Sequence, residues 1–280
     1  RKKRVLLAPL FAEHADTEQL AYNLAAFRPG DEVEITLKMH GTSQRTGLLP
    51  AFSGFRRTIW DKLFRRDGDP IYTYDIVTGT RRTVIDGENG GYYGSNAFRM
   101  PYSELFRGKL WKGETVYYEV VGFTDTGVSI MSECNNKKLN DKEFVKQYGD
   151  TTVFSYGCER AVLVCDDTDG RNQRVVGQSD IYVYRMTMTN EDGNVVEYTP
   201  DFMRYRCEQM GVKTVPVFAN FIIPDLNLQA DLNDDAVATS AGDYVKEIAE
   251  MFYDGPDPIG KIHIREGVVV RIVNKPKFCA

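Results

Sequence analysis

The feature that most limits the fold is a series of short alternating segments closed by turns rather than by helices. Residues 181–188 (Ile-Tyr-Val-Tyr-Arg-Met-Thr-Met) alternate with the period of two expected of a strand. Asn190-Glu191-Asp192-Gly193-Asn194 then turns the chain back into a second strand at 195–198. Residues 115–122 read as a buried strand carrying one carboxylate, Glu119, among apolar and aromatic neighbours, where a carboxylate is costly unless paired or bound. Shorter strand-like runs stand at 5–9, 71–74, 81–85 (hinged at Gly79), 152–156 and 262–272. Helical spacing is found at 17–27, with Asp16 or Thr17 as cap and Pro29-Gly30 as stop, at 54–66, from 200 to 210, and from 243 to 253. In 54–66 Phe55, Ile59, Trp60, Leu63 and Phe64 fall on one side and arginines on the other. That pattern predicts a core face with a solvated back, or else a phosphate-contacting element. Strands outnumber helices without a regular βαβ alternation, so the expected class is α+β, with mainly antiparallel sheets flanked by helices. Residues 123–180 are loop-rich and polar and read as an insertion, 86–95 as a loop, and 225–235 as an acidic connection.

A chain of 280 residues can bury a full core, as one large domain with insertions or as two unequal domains. Its net charge of -5 argues against a basic coat but leaves room for a local basic groove. The five cysteines form no CxxC pair and are odd in number, which predicts a reduced, cytoplasmic protein without structural zinc. Three histidines argue against a His-rich metal site. No apolar segment is long enough to span a membrane, and Arg1-Lys2-Lys3-Arg4 precedes a run too short for a signal peptide.

Residues 33–43 deliver a single lysine, Lys38, to a strand end, followed by Gly41-Thr42-Ser43. A lysine there can act as a nucleophile if it loses its proton, which a drier or more cationic setting favours. Gly41 permits close backbone approach to a phosphate, and the Thr42 and Ser43 hydroxyls can donate to its oxygens. Alone, Lys-x-His-Gly is a weak pattern that also suits a solvated lysine entering a turn.

Four stretches stand in order: Lys38-Met39-His40-Gly41, Tyr118-Glu119-Val120-Val121-Gly122, Tyr182-Val183-Tyr184-Arg185, and Glu266-Gly267-Val268-Val269-Val270-Arg271. The series resembles the covalent nucleotidyltransferases, the superfamily of ATP-dependent ligases and capping enzymes, and most closely the phage RNA ligases of the RNA ligase 2 type. The resemblance covers most of the chain outside 123–180 and implies a nucleotidyltransferase (ATP-grasp-like ligase adenylation) domain. His40, where DNA ligases usually carry aspartate, favours the RNA branch over a DNA ligase or a capping enzyme. The family's fifth motif, Lys-x-Lys, is matched only by Lys275-Pro276-Lys277, which lies very close to Glu266 and is interrupted by proline. The true motif, and the helical C-terminal domain of such ligases, are therefore expected beyond Ala280.

By this resemblance Lys38 attacks the α-phosphate of ATP, becomes lysyl-AMP, and passes the adenylyl group to an RNA 5′-phosphate, after which a 3′-hydroxyl displaces AMP. Glu119 is expected to accept from the ribose hydroxyls and Tyr184 to stack on adenine, with Tyr182 on the same face as its alternative. Glu266 is expected at a Mg²⁺ or Mn²⁺ ion or at the activated lysine. His40, Gly41 and Arg271 complete the nucleotide site. Arg81 is expected at ribose or RNA phosphate, with Arg82 a close second. Five positions separate Glu266 from Arg271, so on one strand they face apart unless the chain bends. The expected partners are RNA ends, met by a monomer with no membrane contact, in the host cytoplasm if phage-encoded. The contrasting expectation is a nucleic-acid-binding protein of the same fold that lacks full ligation activity.

Overall fold

The computed structural model describes residues 5–14, 17–64, 66, 68–87, 96–136, 138, 140–165, 173–226, 240–273 and 278–279. In chain order the strands are β1 (Glu32–Leu37), β2 (Thr42–Arg56), β3 (Asp69–Gly79), β4 (Glu114–Gly122), β5 (Cys134–Asn135), β6 (Thr151–Thr152), β7 (Val162–Cys165), β8 (Gln173–Val176), β9 (Ser179–Thr189), β10 (Val195–Glu197), β11 (Val217–Ile222), β12 (Val268–Ile272) and β13 (Phe278–Cys279). The helices are α1 (Ile59–Leu63), α2 (Met100–Leu105), α3 (Lys142–Tyr148), α4 (Pro200–Met210) and α5 (Ala241–Tyr253). The class is α+β with mainly antiparallel sheets, as the sequence predicts.

A six-stranded sheet runs in the order β13-β10-β9-β4-β2-β3, and a three-stranded sheet in the order β11-β1-β12. β4 lies inside the larger sheet because Thr-Val-Tyr-Tyr-Glu-Val-Val is β-branched or aromatic at nearly every position and is buried on both faces. Its partner β9 supplies Ile181, Val183 and Met186 to a core closed by Met203, Cys207 and Met210 of α4. Thr199 caps α4 by accepting from the Phe202 N–H, Pro200 opens it, and Gly211 at φ 69° ends it. α5, capped by Ser240, sets Val245 and Ala249 against Val33 and Ile35 of β1 and forms the core of the smaller sheet. The two sheets meet where β1 passes into β2 through Lys38–Gly41.

Several local expectations differ from the structure. Residues 17–27 form two short 3₁₀ turns, Leu20–Tyr22 and Leu24–Ala26, instead of an α-helix. Asn23 between them donates its side-chain N–H to the Gln19 carbonyl, a local bond that competes with helix. The helix expected over 54–66 begins only at Ile59, because β2 continues to Arg56 across a bulge between Phe52 and Gly54. Phe55 of its expected core face belongs to β2 and meets Phe52 edge-on at 5.0 Å, and no residue of α1 is buried. β3 is one continuous strand, and Arg81–Ile85 folds back on it through a single bridge, Gly79 to Val84. Residues 5–9 are irregular, with the Leu7 carbonyl accepting from the Phe52 N–H and the Ala8 carbonyl from the Phe11 N–H. The last strand is confined to β12, since 262–267 is held in an irregular path by Lys261 at φ 56° and the Pro256–Ile264 bridge. Residues 123–180 contain α3 and the two-stranded ribbons β5-β6 and β7-β8. The Asp16 cap, the loop at 88–95, the acidic stretch at 227–235 and Lys275-Pro276-Lys277 lie outside the described residues.

Cys134, Cys158, Cys165 and Cys207 are free thiols. Among the described residues no helix is long and apolar enough to cross a membrane.

Candidate active site

β1 buries Val33, Ile35 and Leu37, and the chain leaves the strand at Lys38, whose backbone N–H is held by the Gly267 carbonyl at 3.1 Å. This bond extends the antiparallel pairing of β1 with β12, in which Leu37 opposes Val268, and sets the Lys38 and Glu266 stretches side by side. Lys38 Nζ donates to Glu266 Oε1 at 2.7 Å, and His40 Nδ1 lies 3.1 Å from Oε2. The lysine is 51% exposed and the glutamate only 20%. Burial pushes the Glu266 carboxyl up, but the hydrogen bonds and charges of His40 and Lys38 outweigh it and hold the group below the usual carboxylate range.

His40 is fixed from the other side. Its N–H donates to the Tyr156 hydroxyl at 2.7 Å, and its ring packs at 4.4 Å on Phe154. Gly41 crosses β4 so closely that a Cβ there would stand 2.4 Å from the Val120 carbonyl oxygen and 2.9 Å from Glu119 Cγ. The missing side chain thus serves an approach to β4, and the Gly41 N–H donates to the Glu119 carboxyl.

Glu119 is the strongly shifted acid of the site. Burial, reinforced by the negative charge of Glu266, raises its pKa to about 8, while Arg99, the Gly41 N–H and Arg81 pull the other way. Of the two candidate arginines, the charge of Arg81 acts on the Glu119 carboxyl. Tyr184 lies on the next strand, its hydroxyl 2.9 Å from Ser43 Oγ and its ring 5.4 Å from His14 in an edge-on contact. Burial, with Glu119 nearby, pushes its phenol well above the usual range.

The β4–β9 register shifts between Tyr117 and Tyr118, which oppose Arg185 and Val183. Tyr184 is the extra residue of this bulge. Tyr182 is buried with Leu37 and Met39, and its hydroxyl reaches Asp180. The face-parity expectation for Glu266 and Arg271 does not apply, because Glu266 precedes β12 and is not on the strand. Arg271 instead donates to the Tyr184 carbonyl at 3.0 Å and pairs with Glu197 at 3.4 Å, bracing the bulge.

Lys38, His40, Gly41, Arg81, Glu119, Tyr184, Glu266 and Arg271 therefore form one connected cluster across the seam of the two sheets. Sequence reasoning missed three residues of it. Arg99 is buried and donates to Thr42 Oγ1 at 2.5 Å and to the Ser43 carbonyl at 3.2 Å. Tyr156, at φ 49°, and His14 are the other two. Arg99 and His14 lie in no periodic segment, and the strand-like run at 152–156 carries no sign that links Tyr156 to the site, so only the fold brings them in.

No family model matches the chain, and no curated protein does. Among solved structures the chain is similar to the Naegleria gruberi RNA ligase with PPi, at 12% identity and a TM-score of 0.48, over 99% of this chain and 58% of that one. It is also similar to a mutant of the same ligase with ATP and Mn, at 12% identity and a TM-score of 0.48, over 96% of this chain and 55% of that one. The chain thus spans less than two thirds of the length of these neighbours. Likeness of this degree leaves the activity of the present chain to its own residues.

Proposed function

We propose that the chain is the nucleotidyltransferase (adenylation) domain of an ATP-dependent RNA ligase, with Lys38 as the nucleophile. The observation that carries this reading is the Lys38–Glu266–His40 cluster with Glu119 and Tyr184 beside it, assembled from four segments of which the first and last are 228 residues apart. In the proposed reaction the Lys38 Nζ lone pair attacks the ATP α-phosphorus. An N–P bond forms, the bond to the bridging oxygen breaks, pyrophosphate departs with that electron pair, and the lysine proton goes to solvent or to Glu266. In the free protein Glu266 orients Lys38 through the 2.7 Å hydrogen bond, and this pair is a resting state that must loosen before attack. Arg81 and Arg99 place positive charge beside Glu119, and the Tyr184 ring offers a face for adenine.

Among the described residues no group of three or more His, Cys, Asp or Glu is arranged to hold a metal. The donors that are present fit Mg²⁺ or Mn²⁺, which take one or two carboxylates and complete their shell with phosphate oxygens and water. Glu266 would hold such an ion, with Glu119 nearby, and the ion when bound would neutralise phosphate charge.

The preference for RNA ends rests on the Lys-x-His-Gly resemblance, and a monomeric protein of the cytoplasm suits the free thiols. The test is incubation with α-labelled ATP and Mg²⁺ or Mn²⁺. A covalent label that is acid-labile and base-stable, and that is lost in Lys38→Ala and in Lys38→Arg, is expected, because a guanidinium keeps its proton at any workable pH. Label persisting in Lys38→Ala would remove the lysine from its role.

A further inference from the structure

β2 starts at the site, where Ser43 opposes Glu119, and pairs with β4 over residues 42–47. Beyond that it continues with β3 as a hairpin to Arg56, opposite Asp69, and carries α1 at its end. A capping box between Thr58 and Asp61 secures this short helix, so its exposed face is a formed surface and not a frayed turn. Ile59 is 83% exposed and Trp60 68%, and Leu63 and Phe64 are exposed beside them. The Trp60 and Phe64 rings lie nearly parallel, 12° apart at 6.1 Å, and the Arg66 guanidinium stands 5.7 Å over Phe64. Apolar side chains gathered on so small a projection mark a contact surface. Its charge selects the partner. Between residues 56 and 69 five basic side chains meet three acidic ones, an excess of two in a chain of net charge -5.

We propose that the hairpin tip is a second RNA contact, in which Trp60 and Phe64 stack on unpaired bases while Lys62 and Arg66 meet the backbone phosphates. Flat aromatic faces interleaved with cations are what unpaired nucleic acid needs, since every base has a π-face and every linkage a charge. The proposal rests on the ligase reading for its choice of polymer. It also predicts a reach. Thirteen residues separate Ser43 from Arg56, which at about 3.3 Å per residue is no more than about 43 Å. An oligonucleotide on the order of a dozen nucleotides long, at a stacked rise of about 3.4 Å per step, is therefore long enough to touch site and tip together.

The test measures fluorescence anisotropy of labelled unpaired RNAs of 6 and 24 nucleotides, from 50 to 200 mM salt, with wild type, Trp60→Ala/Phe64→Ala and Lys62→Gln/Arg66→Gln. The aromatic pair should lose about 10-fold or more in affinity for the longer RNA and little for the shorter. The charge pair should flatten the slope of log affinity against log salt by about 0.7 for each lost phosphate contact. All four positions are exposed, so unchanged melting temperatures should show intact folding. Covalent labelling by α-labelled ATP should be unchanged in both variants, which separates failure of the tip from failure of the nucleotide chemistry. Unchanged RNA affinity and salt slope would overturn the proposal. So would a wild type that self-associates in sedimentation and becomes monomeric in the aromatic variant with RNA binding unaltered, because the face would then be covered by a second copy.

Discussion

Glu119 keeps a proton in the folded chain that it would release in the unfolded one, over the interval from its ordinary 4.5 to about 8. Its contribution to stability is full below about 4.5 and is lost as pH rises through about 8, because the folded state binds more protons in between. Glu119→Gln removes that dependence. Melting curves at pH 5, 7 and 9 should show the variant matching wild type at the acid end and exceeding it increasingly toward the alkaline end, at about 2–4 °C per kcal/mol. Above about pH 8, where the carboxyl is ionised, covalent labelling by ATP should fall in the same variant by the worth of one or two charge-assisted hydrogen bonds, about 1.5–3 kcal/mol each. A lower melting temperature with normal labelling would make Glu119 a structural residue. Tyr184 separates ring from hydroxyl. Tyr184→Phe loses only the bond to Ser43 and should bind ATP nearly as wild type, whereas Tyr184→Ala should lose about 1–3 kcal/mol of nucleotide affinity by calorimetric titration. Equal loss at Tyr182→Ala with none at Tyr184→Ala would move the stacking role to the buried neighbour.

At the scale of elements, the crossing of the β1–β2 connection over β4 is the tightest joint of the site. Gly41→Ala forces a methyl against the Val120 carbonyl, which cannot retreat because β4 is paired on both sides. It should cost about 1–3 kcal/mol in denaturant unfolding and reduce labelling at temperatures where the variant remains folded. Away from the site, Arg206 and Glu114 form a buried pair at 2.8 Å that joins α4 to β4. Arg206→Ala should destabilise by about 3–5 kcal/mol, since it strands a buried carboxylate, while leaving nucleotide labelling of the folded fraction unchanged. The elements legible in the sequence were those with both a clean period and a cap or turn: β4, the β9–β10 hairpin, α4 and α5. The 17–27 helix failed because Asn23 bonds locally. The 54–66 helix was cut to Ile59–Leu63 because β2 runs on to Arg56, and its apolar residues face solvent, which the pattern could not foretell because a periodic stripe does not say what covers it.

For the molecule as a whole, the motif residues were legible because each sits in a short stretch with its own signature. Their partners Arg99, Tyr156 and His14 were not, since no motif in their stretches announces where the fold will carry them. The site draws on both sheets, Lys38 from one and Glu119 and Tyr184 from the other. A nucleotide that binds there touches both and should raise the melting temperature with concentration, through a stabilisation of about 2.7 kcal/mol at a hundred times its dissociation constant. A scan with ATP showing no shift in wild type would mean that the seam does not hold nucleotide. The same placement orders events during synthesis. β1 is the central strand of its sheet, yet its neighbours β11 and β12 are encoded far downstream, and Glu266 follows Lys38 by 228 residues. At about 5–20 residues per second, translation needs about 11–46 s to cover that interval. A nascent chain therefore exposes its lysine long before it can position it, and a product aborted anywhere ahead of residue 266 lacks the carboxylate that holds Lys38 and His40.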